Sequence, residues 1–251
     1  RNQGMPRILL IFVGAACVQA STIGAASRRR FLLIHGAGTS AGAFMNSPTA
    51  SGAKKFLSGV PCRTDAGGGG IPANWQYTAL DAASDDGGWW KVGDELVGLE
   101  ASISRIENAI EMQQAVGVIG HEQGALVAAL VAARSSLGEG PPLQFAVICG
   151  APALPTGVYL DLLQRLRDST AVVPVATLHC LSKADPASAA GEELAACFAP
   201  AAEILWHEGG NSMPGRSWYE ETRGFPDRAI GENRYVTQLG PPKYYKYQEN
   251  Q

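Results

Sequence analysis

The chain has 251 residues, 46% hydrophobic and 17% charged, which supplies a sizeable core and excludes wholesale disorder. Twenty Lys and Arg against 23 Asp and Glu leave a formal charge of −3, without the clustered positive charge that nucleic-acid binding needs. Thirty glycines and 15 prolines rule out a coiled coil, a collagen and a helical repeat array.

Residues 8–26 carry no charge and run from Arg7 to the basic triplet Arg28-Arg29-Arg30. One reading is a secretory or organellar signal, with Met5 as initiator, Arg7 as basic flank and Val18-x-Ala20 as a small-residue cleavage site. The other is a retained membrane helix, since about 20 apolar residues span a bilayer. Gln19, Ser21 and Thr22 weaken the spanning case. The expectation is that 1–29 forms a unit of its own, a membrane anchor, a partner-packed segment or a targeting signal. A mitochondrial or plastid membrane is the expected location, and secretion through a cleaved signal is the alternative.

From Arg30 the pattern changes. Arg30–His35 is an apolar run ended by Gly36-Ala37-Gly38, as expected of a strand buried on both faces of a parallel sheet. Gly67–Gly70 reads as a surface loop, because it lacks the spacing of a phosphate-binding loop. Leu99, Ile103, Ile106 and Ile110 stand at helical spacing within 99–112. Val116–Gly120 reads as a strand and Gln123–Leu137 as the helix after it. Further strands are expected over 143–149, 172–181 and 203–207, with helix formers over 192–198. Strands alternating with helices give an α/β domain, a mostly parallel twisted sheet with helices on both faces. Five cysteines (17, 62, 149, 180 and 197) include no C-x-x-C pair, so neither a disulfide framework nor a zinc site is indicated. No metal-ligand spacing or dinucleotide fingerprint occurs, and no cofactor is expected.

Gly120-His121-Glu122-Gln123-Gly124 lies between a strand and a helix of small residues. That is the context of a nucleophile elbow, G-x-S-x-G, in which a strained turn presents the apex residue. Glycines two positions either side are needed because strand and helix approach closely there. The apex, where serine belongs, is Glu122.

His35-Gly36-x-Gly38, Tyr77-x-x-Leu80-Asp81, Trp89-Trp90, Gly98-Leu99-Glu100, Gly120–Ala125 and His207-x-Gly209-Gly210 follow one another in a specific order. In that order the chain resembles the FSH and OVCA2-type serine hydrolase family, a branch of the α/β-hydrolase fold, from about Phe31 to Pro214. The resemblance implies an α/β-hydrolase-like domain over 30–214. It also implies that the family's nucleophilic serine falls on Glu122, its triad acid on Asp185 and its triad histidine on Asn211. The oxyanion donors it implies are the backbone N–H groups of Ala37 and Gln123.

A serine is armed by an imidazole that takes its proton and returns it to the leaving group. Glu122 has no hydroxyl to acylate, and the Asn211 amide shuttles no proton. The expectation is therefore a catalytically inactive, serine-hydrolase-like protein. The alternative is an active esterase-like hydrolase using a carboxylate-based site at Glu122, or a small-molecule binder with residual esterase activity. A carboxylate nucleophile forms an ester that a histidine-activated water must cleave. The available histidines are His35 in the oxyanion loop, His121 beside the apex, His179 inside a strand and His207 before the Gly-Gly pair. Ser212 is a conceivable displaced nucleophile. A structural role for Glu122 is also open: its carboxylate could fill the oxyanion hole at a helix N-terminus, favoured by roughly 0.3–2 kcal/mol.

Residues 215–251 hold Trp218, Tyr219, Phe225, Tyr235, Tyr244, Tyr245 and Tyr247 among Pro226, Pro241 and Pro242, with a short helix conceivable over 216–222. This extended aromatic tail, and the N-terminal segment, are expected to meet protein partners in a larger assembly, with possible membrane contact. The sequence as a whole thus reads as an accessory subunit of a membrane-associated complex.

Overall fold

The computed structural model describes residues 29–49, 75–91, 96–152, 154–169, 174–209, 213, 225–232 and 243–245. The sequence readings on 1–28, on the Gly67–Gly70 loop, on the 216–222 helix and on Asn211 and Ser212 lie outside these residues.

The elements are β1 (Arg29–Ile34), α1 (Ala41–Asn46), β2 (Trp75–Leu80), α2 (Leu99–Gln113), β3 (Ala115–His121), α3 (Gln123–Leu137), β4 (Phe145–Cys149), α4 (Val158–Asp168), β5 (Ala176–Ser182), α5 (Ser188–Ala196), β6 (Ala202–His207), α6 (Phe225–Glu232) and β7 (Lys243–Tyr245). The strands form one sheet in the order β2-β1-β3-β4-β5-β6-β7. Every neighbouring pair is parallel, so the sheet is wholly parallel among the described strands. This is the α/β architecture that the alternation of elements implies, and the α/β-hydrolase-like form that the family resemblance implies.

Successive residues of a strand point to opposite faces, and the core divides accordingly. Leu32 and Ile34 of β1 join Val118 of β3 and Ile148 of β4 under α2, α3 and α4, where Leu99, Ile103, Ile106, Ile110, Leu162 and Leu163 pack. Phe31 and Leu33 face the other way with Ile119, Phe145, Val147 and Cys149, covered by Phe44 of α1, Met213, and Phe225 and Ala229 of α6. Helix α3 is buried on nearly every side. That burial explains its run of alanines: only small side chains let it lie this close to the sheet.

Several bounds move. β4 begins at Phe145, two residues after the start read from sequence, and β5 begins at Ala176. α5 begins at Ser188 and ends at Ala196, earlier than the 192–198 reading. Two pieces of the stretch 215–251 belong to the domain itself: Phe225 sits edge-on to Phe145 with ring centroids 6.2 Å apart, and Lys243–Tyr245 extends the sheet beside β6. No helix among the described residues is long and apolar enough to cross a membrane.

Candidate functional site: the elbow and the strand ends

The carboxyl ends of the parallel strands, where ligands of open α/β sheets bind, carry the candidate residues. β3 ends at His121 and α3 begins at Gln123, so Glu122 alone makes the turn. Its backbone lies at φ 50°, ψ −118°, a conformation costly for any residue with a Cβ, of order 1–3 kcal/mol. The turn is held by backbone: Glu122 N–H donates to the Cys149 carbonyl at 3.0 Å, and the Ala125 N–H donates to the Glu122 carbonyl at 2.9 Å. Both flanking glycines are sterically required. A Cβ on Gly120 would overlap the Gly124 carbonyl and stand 2.7 Å from the Ala125 Cα, and one on Gly124 would overlap the Ile34 and His35 carbonyls.

Glu122 makes no side-chain capping bond to α3. Instead the carboxylate lies over the β1–α1 loop: a Cβ on Gly36 would overlap Oε2 and come within 3.1 Å of Cδ. Ala37, the next residue, is exposed, whereas Gln123 is buried.

The Gln123 side chain is a residue that sequence reasoning valued only for its amide. Its Oε1 accepts from the Trp89 N–H at 3.0 Å and its Nε2 donates to the Trp90 carbonyl at 3.3 Å. The Trp89 indole N–H donates to the His35 carbonyl at 2.8 Å, and Ser102 Oγ donates to the Trp89 carbonyl. A buried clamp thus ties the loop before α2 to both the elbow and the β1–α1 loop. The Trp89-Trp90 pair preceding a Gly98 N-cap was the available sequence signal, although nothing in it specified Gln123 as the partner.

Asp185 lies half-buried just past β5, where Oδ1 accepts the Ala187 N–H at 2.9 Å. It is one strand order away from β4, whose Cys149 carbonyl holds the elbow.

All four histidines are buried, at 0% to 7% exposure. His35 Nε2 accepts from the Ala82 N–H at 3.4 Å, which leaves the proton on Nδ1 facing the Gly36 carbonyl at 2.6 Å. His121 stacks on Phe44 at 6.4 Å. His179 meets Thr177 Oγ1 at 3.2 Å, its Nδ1 has no hydrogen-bond partner, and burial lowers its pKa to about 3. His207 accepts from the Gly209 N–H at Nδ1, 3.1 Å; burial, and secondarily the Lys183 charge, lower its pKa to about 3. His179 is thus a strand-interior core residue, and His207 is neutral with one ring nitrogen engaged by its own loop.

A cavity of ≈ 470 Å³ opens between the β1–α1 loop and the loop after β2, lined by Gly38, Thr39, Ser40, Asp81, Asp85 and Asp86 among others. Neither Glu122 nor Asp185 lines it. Two of its carboxylates serve the loops themselves: Asp81 Oδ1 accepts the Ala41 N–H at 2.6 Å, and Asp86 Oδ1 accepts from Ser84 Oγ and the Gly88 N–H. The Ser84 bond first, then the Gly88 one, hold Asp86 below the ordinary carboxylate range. Among the described residues no group of three or more His, Cys, Asp or Glu is placed to hold a metal ion.

Comparison with known proteins gives the site its context. Residues 25–222 match the family model described as serine hydrolase (FSH1), and the chain belongs to that family. No curated protein matches it. Among solved structures it is similar to Zea mays acyl-protein thioesterase 2, at 17% identity and a TM-score of 0.55, over 83% of this chain and 96% of that one. Arabidopsis thaliana SOBER1 is similar at 13% identity and a TM-score of 0.55, over 81% and 100%. A Pyrococcus furiosus esterase is similar at 13% identity and a TM-score of 0.51, over 85% and 83%. At these identities the likeness shows the fold.

Proposed function

We propose that this member of the serine hydrolase family does not perform the family's acyl transfer and acts as an accessory subunit of a larger, membrane-associated organellar assembly. In this reading Glu122 stands where the family's serine stands, Asn211 where its histidine stands and Asp185 where its acid stands. One observation carries it: the strained apex of a complete elbow bears a carboxylate that lies over the Gly36 backbone. A glutamate there offers no hydroxyl to acylate, and it crowds the loop toward which a substrate carbonyl would turn its oxygen.

The carboxylate-nucleophile alternative needs a histidine to activate water for the second step. His207 is neutral and bonded at Nδ1 to its own loop, His179 is enclosed in the sheet, and both rings are held far below the pH at which they would accept a proton in water. Those placements favour the inactive reading. The segment 1–28 and the parts of 215–251 outside α6 and β7 are the proposed partner and membrane contacts, and a mitochondrial or plastid membrane is the proposed location.

The test has two arms. Purified full chain treated with a fluorophosphonate probe is expected to stay unlabelled, and labelling at any serine overturns the inactive reading. Cross-linking after mild detergent extraction is expected to recover the chain with protein neighbours, whereas a soluble monomer overturns the subunit role.

A further inference from the structure

The sheet register brings together two cysteines that the sequence keeps far apart. Cys149 closes β4 and stands directly opposite Cys180 of β5 in the parallel ladder. Both side chains point to the face covered by Met213, Phe225 and Ala229, both are 0% exposed, and neither is in a disulfide. Adjacent strands run about 4.7–4.9 Å apart, inside the Cα separation of about 4.4–6.8 Å that a disulfide spans.

The pair also touches the candidate site through the backbone. The Cys149 carbonyl accepts the Glu122 N–H, and the Cys180 carbonyl accepts the Gly150 N–H at 3.3 Å. Any change in how the ends of β4 and β5 sit against each other therefore acts directly behind the elbow.

We propose that Cys149 and Cys180 form a dithiol site that closes to a cross-strand disulfide by exchange with a low-molecular-weight disulfide. One thiolate attacks the small disulfide, forming a mixed disulfide and expelling one small thiol. The second cysteine then attacks the protein sulfur of that mixed disulfide, forming the Cys149–Cys180 bond and expelling the other small thiol. Two protein S–H groups are oxidised and one small disulfide is reduced to two thiols, so the protons and electrons balance without another reactant. Burial raises the Cys180 thiol well above its ordinary pKa, so attack waits on movement of the cover formed by α6 and Met213. The proposal is independent of whether the chain is an enzyme.

The experiment uses the full chain carrying Cys17→Ser, Cys62→Ser and Cys197→Ser, treated with 4,4′-dithiodipyridine under native conditions. The expected result is two thiopyridones released per chain, an intact mass lower by about 2 Da, and a linked peptide pair containing Cys149 and Cys180, all reversed by dithiothreitol. A second variant adding Phe225→Ala thins the cover and is expected to speed closure by roughly tenfold or more. Retained pyridyl adducts without the linked pair, or a linked pair that forms only in denaturant even with Phe225→Ala, would overturn the proposal.

Discussion

The elbow side and the β5–β6 side of the same sheet edge differ in how closely their candidate residues are tied into the core. At the elbow the strained turn, both obligatory glycines, and the clamp of Gln123, Trp89 and Ser102 that fixes the β1–α1 loop are all bound to surrounding backbone. At the β5–β6 end Asp185 accepts the Ala187 N–H and His207 accepts the Gly209 N–H, each bond made within its own loop. The difference separates two kinds of constraint. The elbow's backbone is tied to core packing, because its glycines sit where β1, β3 and α3 touch. Asp185 projects from the loop after β5, where exchange costs the fold little.

That contrast can be broken most forcefully at the glycines. Gly120→Ala or Gly124→Ala drives a methyl into backbone that has no room to move, and a loss of about 3 kcal/mol or more is expected in denaturant titrations. An effect under 1 kcal/mol would mean that the close approach is not structural. Next in size is the clamp. Trp89→Phe leaves the His35 carbonyl without its buried indole donor, and about 1–3 kcal/mol of stability should be lost.

On the other side of the comparison the buried histidines set an acid limb. The His179 pKa is about 3 in the folded chain and about 6.5 when unfolded, so the unfolded state takes up the proton first. The neutral ring costs nothing above pH 6.5. Below it stability falls by up to about 1.4 kcal/mol per pH unit until the folded state also protonates near pH 3. His179→Leu should flatten this limb measurably, and an unchanged slope would place the acid sensitivity elsewhere. The smallest effect is at the apex: Glu122→Gly relieves the positive φ and is expected to stabilise by about 1 kcal/mol. A destabilisation there would show that the carboxylate holds the loops together.

Much of this architecture was readable from the residues. β3 and α3 are bounded almost residue for residue, because glycines flank the turn and small residues mark the buried helix. The stripe Leu99, Ile103, Ile106 and Ile110 gave α2 through its period alone. α1 escaped because six residues give no periodicity, and its start depends on Ser40 and on Asp81 from a distant strand end. The Gln123 clamp escaped because nothing local distinguishes a glutamine that bridges Trp89 and Trp90 from one facing water. Likewise the Cys149–Cys180 juxtaposition is a property of strand register, which no spacing rule encodes. Phe225 read as part of a tail, because an isolated aromatic near a chain end carries no sign of the Phe145 ring it meets.

The most direct measurement is ester turnover by three purified chains: the natural one, Glu122→Ser, and Glu122→Ser combined with Asn211→His. No hydrolysis of a short-chain p-nitrophenyl ester above the buffer rate is expected for the first two, with gain of turnover only in the third. Turnover by the natural chain, or by Glu122→Ser alone, would contradict that expectation.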